Sequence, residues 1–302
     1  MILGIDIGGT HFRVGLIDNN KLINLKKIKT EDILKTNDVI NDLTLFLKEY
    51  TKEGNIDCIS IGFPGTLNKE RTTVLQMPNI KAFEKLEIVK ELSKALNTNV
   101  VIERDTTMCL YYDTNKYKLE NNEMVVGIYF GTGVGSACFI NNIPLAGAHG
   151  TAGEIGHIPV DKVDLKCGCG NVGCLEEVAG GKYLAKLAHE IFKDEISELF
   201  VKHKDDELVK EYIDRMSYAV SSYLNIMDPE TIVIGGGIIN MKDFPKEELL
   251  ERIKSHTRKP EPCESVKIIL ADDEEDKGVM GAYYYAKSKV NNWNRNKYWN
   301  II

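Results

Sequence analysis

Long apolar runs are absent from this 302-residue chain; no stretch approaches the roughly 18 consecutive apolar residues needed to cross a bilayer. The first residues, Met1-Ile2-Leu3-Gly4-Ile5-Asp6, carry no basic segment of the kind that opens a secretory leader. Both absences point to a cytoplasmic protein without a membrane partner. Positive charge is in deficit, with 38 Lys and Arg against 45 Asp and Glu and a net charge of -7, which argues against a nucleic-acid-binding surface. The seven cysteines are too few and too unevenly spread for a disulfide framework. Three crowd one segment, and the other four, Cys58, Cys109, Cys138 and Cys263, read as buried small apolar residues. There is no long Pro/Ser linker, and the acidic run Asp272 to Asp276 is too short for an interaction tail and reads as a solvated loop. A chain of this length exceeds the usual single domain, so two lobes are expected.

What the chain does have is glycine placed at the ends of apolar strands. Ile2 to Ile7 reads as a buried strand, Gly8-Gly9-Thr10 as a tight turn, and Phe12 to Ile17 as a returning strand. The design recurs roughly 120 residues later, where Val125 to Phe130 leads into Gly131-Thr132-Gly133-Val134-Gly135 and out through Ala137 to Ile140. The polar pairs Asn19-Asn20 and Asn141-Asn142 follow the two hairpins at corresponding places. Two hairpins of one kind imply a duplicated α/β fold with two lobes facing a cleft. Between them, Cys58 to Phe63 and Val100 to Ile102 read as strands, while Val39 to Leu47, Leu86 to Leu96 and Met108 to Tyr117 follow the helical period. Later, Lys182 to Phe192 and Leu208 to Met227 read as helices, Thr231 to Ile234 as a strand, and Gly278 to Val290 as a closing helix. Mixed sheets covered by helices follow from that order.

Several residues carry candidate chemistry. Asp6 with Gly8, Gly9 and Thr10 fits a phosphate turn, in which glycine lets backbone N–H groups approach an anion and the carboxylate holds the water shell of a Mg²⁺. Gly-Gly is also a common hairpin dipeptide, so an ordinary turn is the alternative. The second turn, Gly131, Thr132, Gly133, Val134 and Gly135, favours the phosphate reading, although neither turn has Walker-A spacing. Gly235, Gly236 and Gly237 after a strand would let an adenosine lie against backbone, or serve tight helix–strand packing. Asp105, after an apolar strand and before a helical stretch, is an N-cap or a general base that accepts the proton of an attacking hydroxyl. His157, Cys167, Cys169 and Cys174 offer one imidazole and three thiolates, the closed tetrahedral set that zinc prefers at a structural site. Glu154 and Glu176 flank these ligands and suggest a polar substrate pocket, and His149 reads as structural or as lining the cleft.

Together these residues resemble the ROK family of sugar kinases, within the larger actin and hexokinase fold class. The resemblance runs through Asp6 to Thr10, Gly62-Phe63-Pro64-Gly65, Pro78-Asn79, Asp105, the Gly131 turn, Gly153-Glu154-Ile155-Gly156-His157, the three cysteines with Leu175-Glu176, and Gly235 to Gly237. It implies a two-lobed actin-like, ribonuclease H-like α/β fold with a zinc knot in the larger lobe. The small lobe is placed at residues 1–117, with the closing helix, about 278–302, packing back on it, and the large lobe at 118–277. It also implies that ATP with Mg²⁺ phosphorylates a hexose, usually at the 6-hydroxyl, in a homodimer or homotetramer. By match, Asp105 is the catalytic base, and Gly65, Asn79, Arg104, Glu154, His157 and Glu176 bind sugar. His157 would serve twice, with one ring nitrogen on zinc and the other toward the sugar. The family often has Asn-Asp where this chain has Arg104-Asp105, and a lysine after Gly-Gly-Thr where it has His11. Because that asparagine touches hydroxyls near C3 and C4, Arg104 points to allose, the C3 epimer of glucose; glucose, fructose and N-acetylmannosamine remain alternatives. The family's sugar-responsive repressors carry a DNA-reading module before the first hairpin, which here begins at Ile2.

Overall fold

The computed structural model describes residues 1–51 and 55–299. They fall into two compact units, one made of Met1–Lys116, Ala146–Ala152 and Glu274–Ile302, the other of Tyr117–Leu145 and Gly153–Asp273. In the first unit, β1 (Ile2–Ile7), β2 (His11–Asp18) and β3 (Lys21–Lys29) form an antiparallel meander. Helices α1 (Thr30–Ile33) and α2 (Val39–Thr51) lead to β4 (Cys58–Phe63), followed by a two-stranded hairpin of β5 (Thr66–Leu67) and β6 (Val74–Gln76). Then come α3 (Ile88–Leu96), β7 (Asn99–Arg104) and α4 (Asp105–Lys116). In the second unit, β8 (Met124–Phe130), β9 (Val134–Ile140) and β10 (Ile143–Pro144) repeat the meander. They precede α5 (Glu176–Ala179), α6 (Gly181–Lys186), α7 (Leu199–His203), α8 (Glu207–Met227), β11 (Thr231–Gly235), α9 (Lys246–His256) and β12 (Lys267–Leu270). Helix α10 (Lys277–Trp299) belongs to the first unit, and residues 300–302 of the expected closing helix lie outside the described residues.

The two sheets share one plan. Their orders, β3-β2-β1-β4-β7 and β10-β9-β8-β11-β12, each place an antiparallel meander beside two parallel strands. The duplication expected from the hairpins is therefore present in the topology. Asn19, Asn20, Asn141 and Asn142 all have φ between 47° and 66°, the left-handed pair that a two-residue hairpin turn requires, and asparagine tolerates it better than most residues. Central strands read as continuous apolar runs because both faces are covered: β4 is buried at all six positions. Leu3, Ile5, Ile59, Ile61, Leu43 and Leu92 meet in the core of the first unit; Val126, Ile128, Ile232, Met216 and Val220 meet in that of the second.

Some expectations change. The helix read over Lys182 to Phe192 is α6 followed by a π-helical turn from Leu187 to Phe192. Cys58 and Cys138 are buried as expected, whereas Cys109 and Cys263 are half-exposed. The acidic run is not wholly solvated, since Glu274 pairs with Lys116 at 3.0 Å and accepts from the Tyr112 hydroxyl. Among the described residues no helix is long and apolar enough to cross a membrane.

Candidate active site

Strand register gathers the first group of candidate residues. Asp6 lies opposite Gly62, and Gly62 opposite Glu103, so the C-terminal ends of the parallel strands β1, β4 and β7 bring Asp6 and Asp105 to one edge of the first unit. That edge is where open α/β sheets bind ligands. A carboxylate here is not comfortable: burial raises the Asp6 carboxyl above its ordinary value, against the opposing pull of Arg13, whose Nη1 stands 3.3 Å from Oδ2. Gly278, at the start of α10, lies so close that a Cβ there would sit 2.6 Å from the Asp6 carboxyl carbon. The turn closes through Gly8 N–H donating to His11 O, leaving Gly9 and Thr10 exposed, with Asn79 beside Gly9. Gly65 is placed by its neighbour, since a Cβ would meet Gln76 O at 2.3 Å.

Asp105 opens α4, and its Oδ1 accepts the Thr106 N–H at 2.7 Å, so the carboxylate does serve the helix start. It remains half-buried, with Arg104 buried beside it. The Arg104 Nη1 donates to Ala152 O at 3.0 Å. Arg71, which the sequence did not single out, pairs through Nε with Glu103 at 2.8 Å, and its Nη1 donates to Gly150 O at 2.8 Å. The same Glu103 oxygen accepts the Arg104 N–H. Two arginines, the half-buried Arg71 and the buried Arg104, thus fasten the 146–152 segment to the end of β7 by its carbonyls; His149, in that segment, is exposed.

The second group lies within the other unit. The turn from Gly131 to Gly133 closes by Gly131 N–H donating to Gly133 O at 3.0 Å. A Cβ on Gly131 would meet nothing within 4 Å. Gly235 and Gly236 are packed against Tyr129 and the Phe130 backbone, and Gly236 has φ +97°, which accounts for those two glycines without a ligand. Gly237 is exposed, with only Asp273 Oδ2 near at 3.6 Å. Gly131 and Gly237 thus have open surroundings, and neither packing nor a positive φ in the protein accounts for their lack of a side chain.

The four zinc-type donors come together. His157 Nδ1 is 3.6 Å from Cys167 Sγ, Cys169 Sγ is 3.7 Å from Cys174 Sγ, and all four donor atoms lie within 4.8 Å of one another. A tetrahedral ion with Zn–S of about 2.3 Å and Zn–N of about 2.0 Å requires edges of about 3.8 Å between sulfurs and about 3.6 Å from sulfur to nitrogen. The donor set fits zinc. The other imidazole nitrogen, Nε2, faces Glu154 Oε2 at 3.6 Å. Glu154 follows Gly153, whose carbonyl accepts from the Ser136 hydroxyl, and Ser136 in turn meets Tyr223 Oη at 2.8 Å. Glu176 heads α5, and its Oε2 accepts the Val134 N–H at 2.9 Å.

Residues 2–289 match the family described as the ROK family. The chain belongs to that family. Among curated relatives, this ROK protein is 27% identical over 313 residues to the glucokinase of Thermotoga maritima, covering 96% of this chain and 98% of that one. It is 26% identical to the N-acetyl-D-glucosamine kinase of Salmonella newport over 274 residues, 85% of this chain and 90% of the relative. A solved structure of a ROK family glucokinase from Streptomyces griseus, in complex with glucose and AMPPNP, shares the fold with a TM-score of 0.76 at 21% identity, over 93% of this chain and 97% of that one. Arg71, Glu103, Ser136 and Tyr223 carry no local motif, and only long-range packing brings them to the candidate residues of this ROK chain.

Proposed function

We propose that this ROK protein is an ATP-dependent carbohydrate kinase that phosphorylates the 6-hydroxyl of a hexose, with D-allose as the preferred sugar. The observation that carries the reading is the gathering of Asp6, Gly62 and Asp105 at the C-terminal ends of adjacent parallel strands in a chain of this family. Asp105 takes the proton from the attacking hydroxymethyl oxygen, the general-base role that a half-buried carboxylate at this edge can fill. Asn79, Gly65, Glu154, His157 and Glu176 hold the sugar, and Asp6, Gly8, Gly9 and Thr10 with Gly131, Thr132, Gly133, Val134, Gly135 and Gly235 to Gly237 serve Mg²⁺ and ATP. The open space at Gly131 and Gly237 supports their share of that role. Bound Mg-ATP would supply the transferred phosphoryl group. Zinc, held by His157 Nδ1 and the thiolates of Cys167, Cys169 and Cys174, would fix the imidazole so that Nε2 and the facing Glu154 meet sugar hydroxyls in one orientation.

Allose rests on Arg104, which stands where the family often has asparagine. Its guanidinium is committed to the Ala152 carbonyl, so its influence on a C3 hydroxyl runs through a buried, fixed cation and not through a mobile side chain. Glucose is the second reading, favoured by the glucokinase relative at 27% identity over nearly the whole chain. A coupled ADP-release assay with Mg-ATP across a hexose panel tests both. The highest kcat/KM on allose supports the first reading and on glucose the second. Absence of ADP release with every sugar overturns the kinase and leaves a sugar-responsive binding protein.

A further inference from the structure

Gly133 and Gly131 stand two residues apart in one turn and meet opposite surroundings. A Cβ on Gly133 would lie 2.0 Å from Glu176 Oε2 and 2.7 Å from its carboxyl carbon, whereas one on Gly131 would meet nothing within 4 Å. The backbone at Gly133 does not require glycine by its φ, so the lack of a side chain there serves contact. What it admits is the carboxylate, whose Oε2 accepts the N–H of the next residue, Val134. Three more glycines close around the same point. A Cβ on Gly156 would lie 2.3 Å from Val134 O and 3.3 Å from Glu176 Cβ. On the other side, Gly181 N–H donates to Gly131 O at 2.9 Å, and Gly180 packs 3.2 Å from the Gly133 Cα by the same measure. The turn, the Gly-Glu-Ile-Gly-His segment and the start of α5 are one block built on glycine contacts, with Glu176 as its polar link.

We propose that Gly133 and the Val134 amide are positioning residues for the sugar-binding carboxylate Glu176, so that one turn serves two substrates: Gly131 faces the nucleotide phosphates and Gly133 seats the Glu176 carboxylate that binds the hexose. The inference rests on the kinase reading above. With Oε2 held by Val134 and walled by Gly133, the carboxyl plane is set and Oε1 is presented in a single orientation. A methyl at residue 133 forces the carboxylate back by more than 1 Å, because ordinary contact begins near 3.4 Å. Misplacement of about 1 Å can cost on the order of a hundredfold in an aligned site.

The test is a pair of variants, Gly131→Ala and Gly133→Ala, with KM for hexose and for ATP measured on each. Gly133→Ala is expected to raise the hexose KM at least about tenfold more than the ATP KM, a conservative share of that misplacement cost. Gly131→Ala is expected to shift the ratio the other way. A Gly133→Ala ratio that is unchanged, or moved toward ATP as an anion cradle would give, overturns the proposal. Hydrogen–deuterium exchange at the Val134 amide gives a second measurement that needs neither turnover nor a stable Gly133 variant. Glu176→Ala should speed that exchange at least about tenfold if the carboxylate is the amide's partner, and unchanged exchange overturns the link. A wild-type protein that releases no ADP with any hexose sinks the kinase reading; an active wild type with an unmoved ratio sinks only this inference.

Discussion

Replacing Cys167 by serine removes one of four donors gathered within 4.8 Å and leaves a buried hydroxyl in the place of a thiolate. The donor spacings fit a tetrahedral zinc shell, so the proposed site would bind the ion in the folded state, whereas the unfolded chain does not hold a preformed site. Mass action then sets the stability involved: with free zinc about a thousandfold above the dissociation constant, binding contributes about 4 kcal/mol. In a unit of about 150 residues each kcal/mol moves the melting temperature by about 2–4 °C, so loss of the site lowers Tm by about 8–16 °C. The assay is metal analysis of the purified protein by mass spectrometry, paired with thermal melting with and without a chelator. Wild type should carry one zinc per chain and lose the stated Tm on chelation. Cys167→Ser should start low and not respond. Cys263→Ser, a half-exposed cysteine outside the cluster, should behave as wild type. A wild type with no stoichiometric zinc, or a Cys167→Ser variant that keeps it, refutes the reasoning.

Other perturbations reach the remaining parts of the reading. Asp105→Asn removes the base and should cut kcat at least about a hundredfold with hexose binding retained, as calorimetry would show; near-full turnover removes Asp105 from the chemistry. Arg104→Asn should lower the ratio of kcat/KM for allose over glucose, and an unchanged ratio ends the role given to Arg104. Gly281→Ala places a Cβ 2.0 Å from the Met108 carbonyl, where α10 packs on α4, and should cost about 1–3 kcal/mol in urea unfolding without selective change in either KM. Asp214 gives a pH test. Burial alone would raise its carboxyl, but hydrogen bonds from His256, Tyr218 and Arg252 prevail and hold it below the ordinary value. A lowered carboxyl stabilises the fold above the unfolded value of 3.8 and loses that contribution as pH falls through the folded one. Asp214→Asn should therefore lower Tm at pH 7, and the gap should close as the medium falls below that range; a gap independent of pH contradicts the assignment.

Features whose cause is local were legible in the sequence. Glycine turns, the left-handed Asn pairs and the Cys/His spacing each follow from a few adjacent residues, as do the β1–β2 and β8–β9 hairpins. β3 was not legible, because Lys21–Lys29 is an edge strand whose half-exposed pattern, with four lysines, hides the period-two signal. The Arg71–Glu103 pair was not legible either. Its members are far apart in sequence, and a buried ion pair has no signature until β7 and the β5–β6 hairpin meet. The site residues divide the same way. Asp105 and Glu154 could be named from their neighbours in sequence, but the contacts that fix their surroundings, Arg104 to Ala152 O beside one and Ser136 to Gly153 O beside the other, come from the fold.

The path of the chain through the 146–152 segment has a practical consequence. Because the first unit is assembled from three separate stretches, no single cut yields either unit whole. A fragment ending at Lys116 would lack both the segment bound by Arg71 and Arg104 and the helix α10 that packs on β1, β2 and α4. Topologically the second unit is a pair of insertions tethered at four crossings. A protease nick at any one of them leaves the pieces associated, and a gene for either unit alone must be built by splicing and not by truncation.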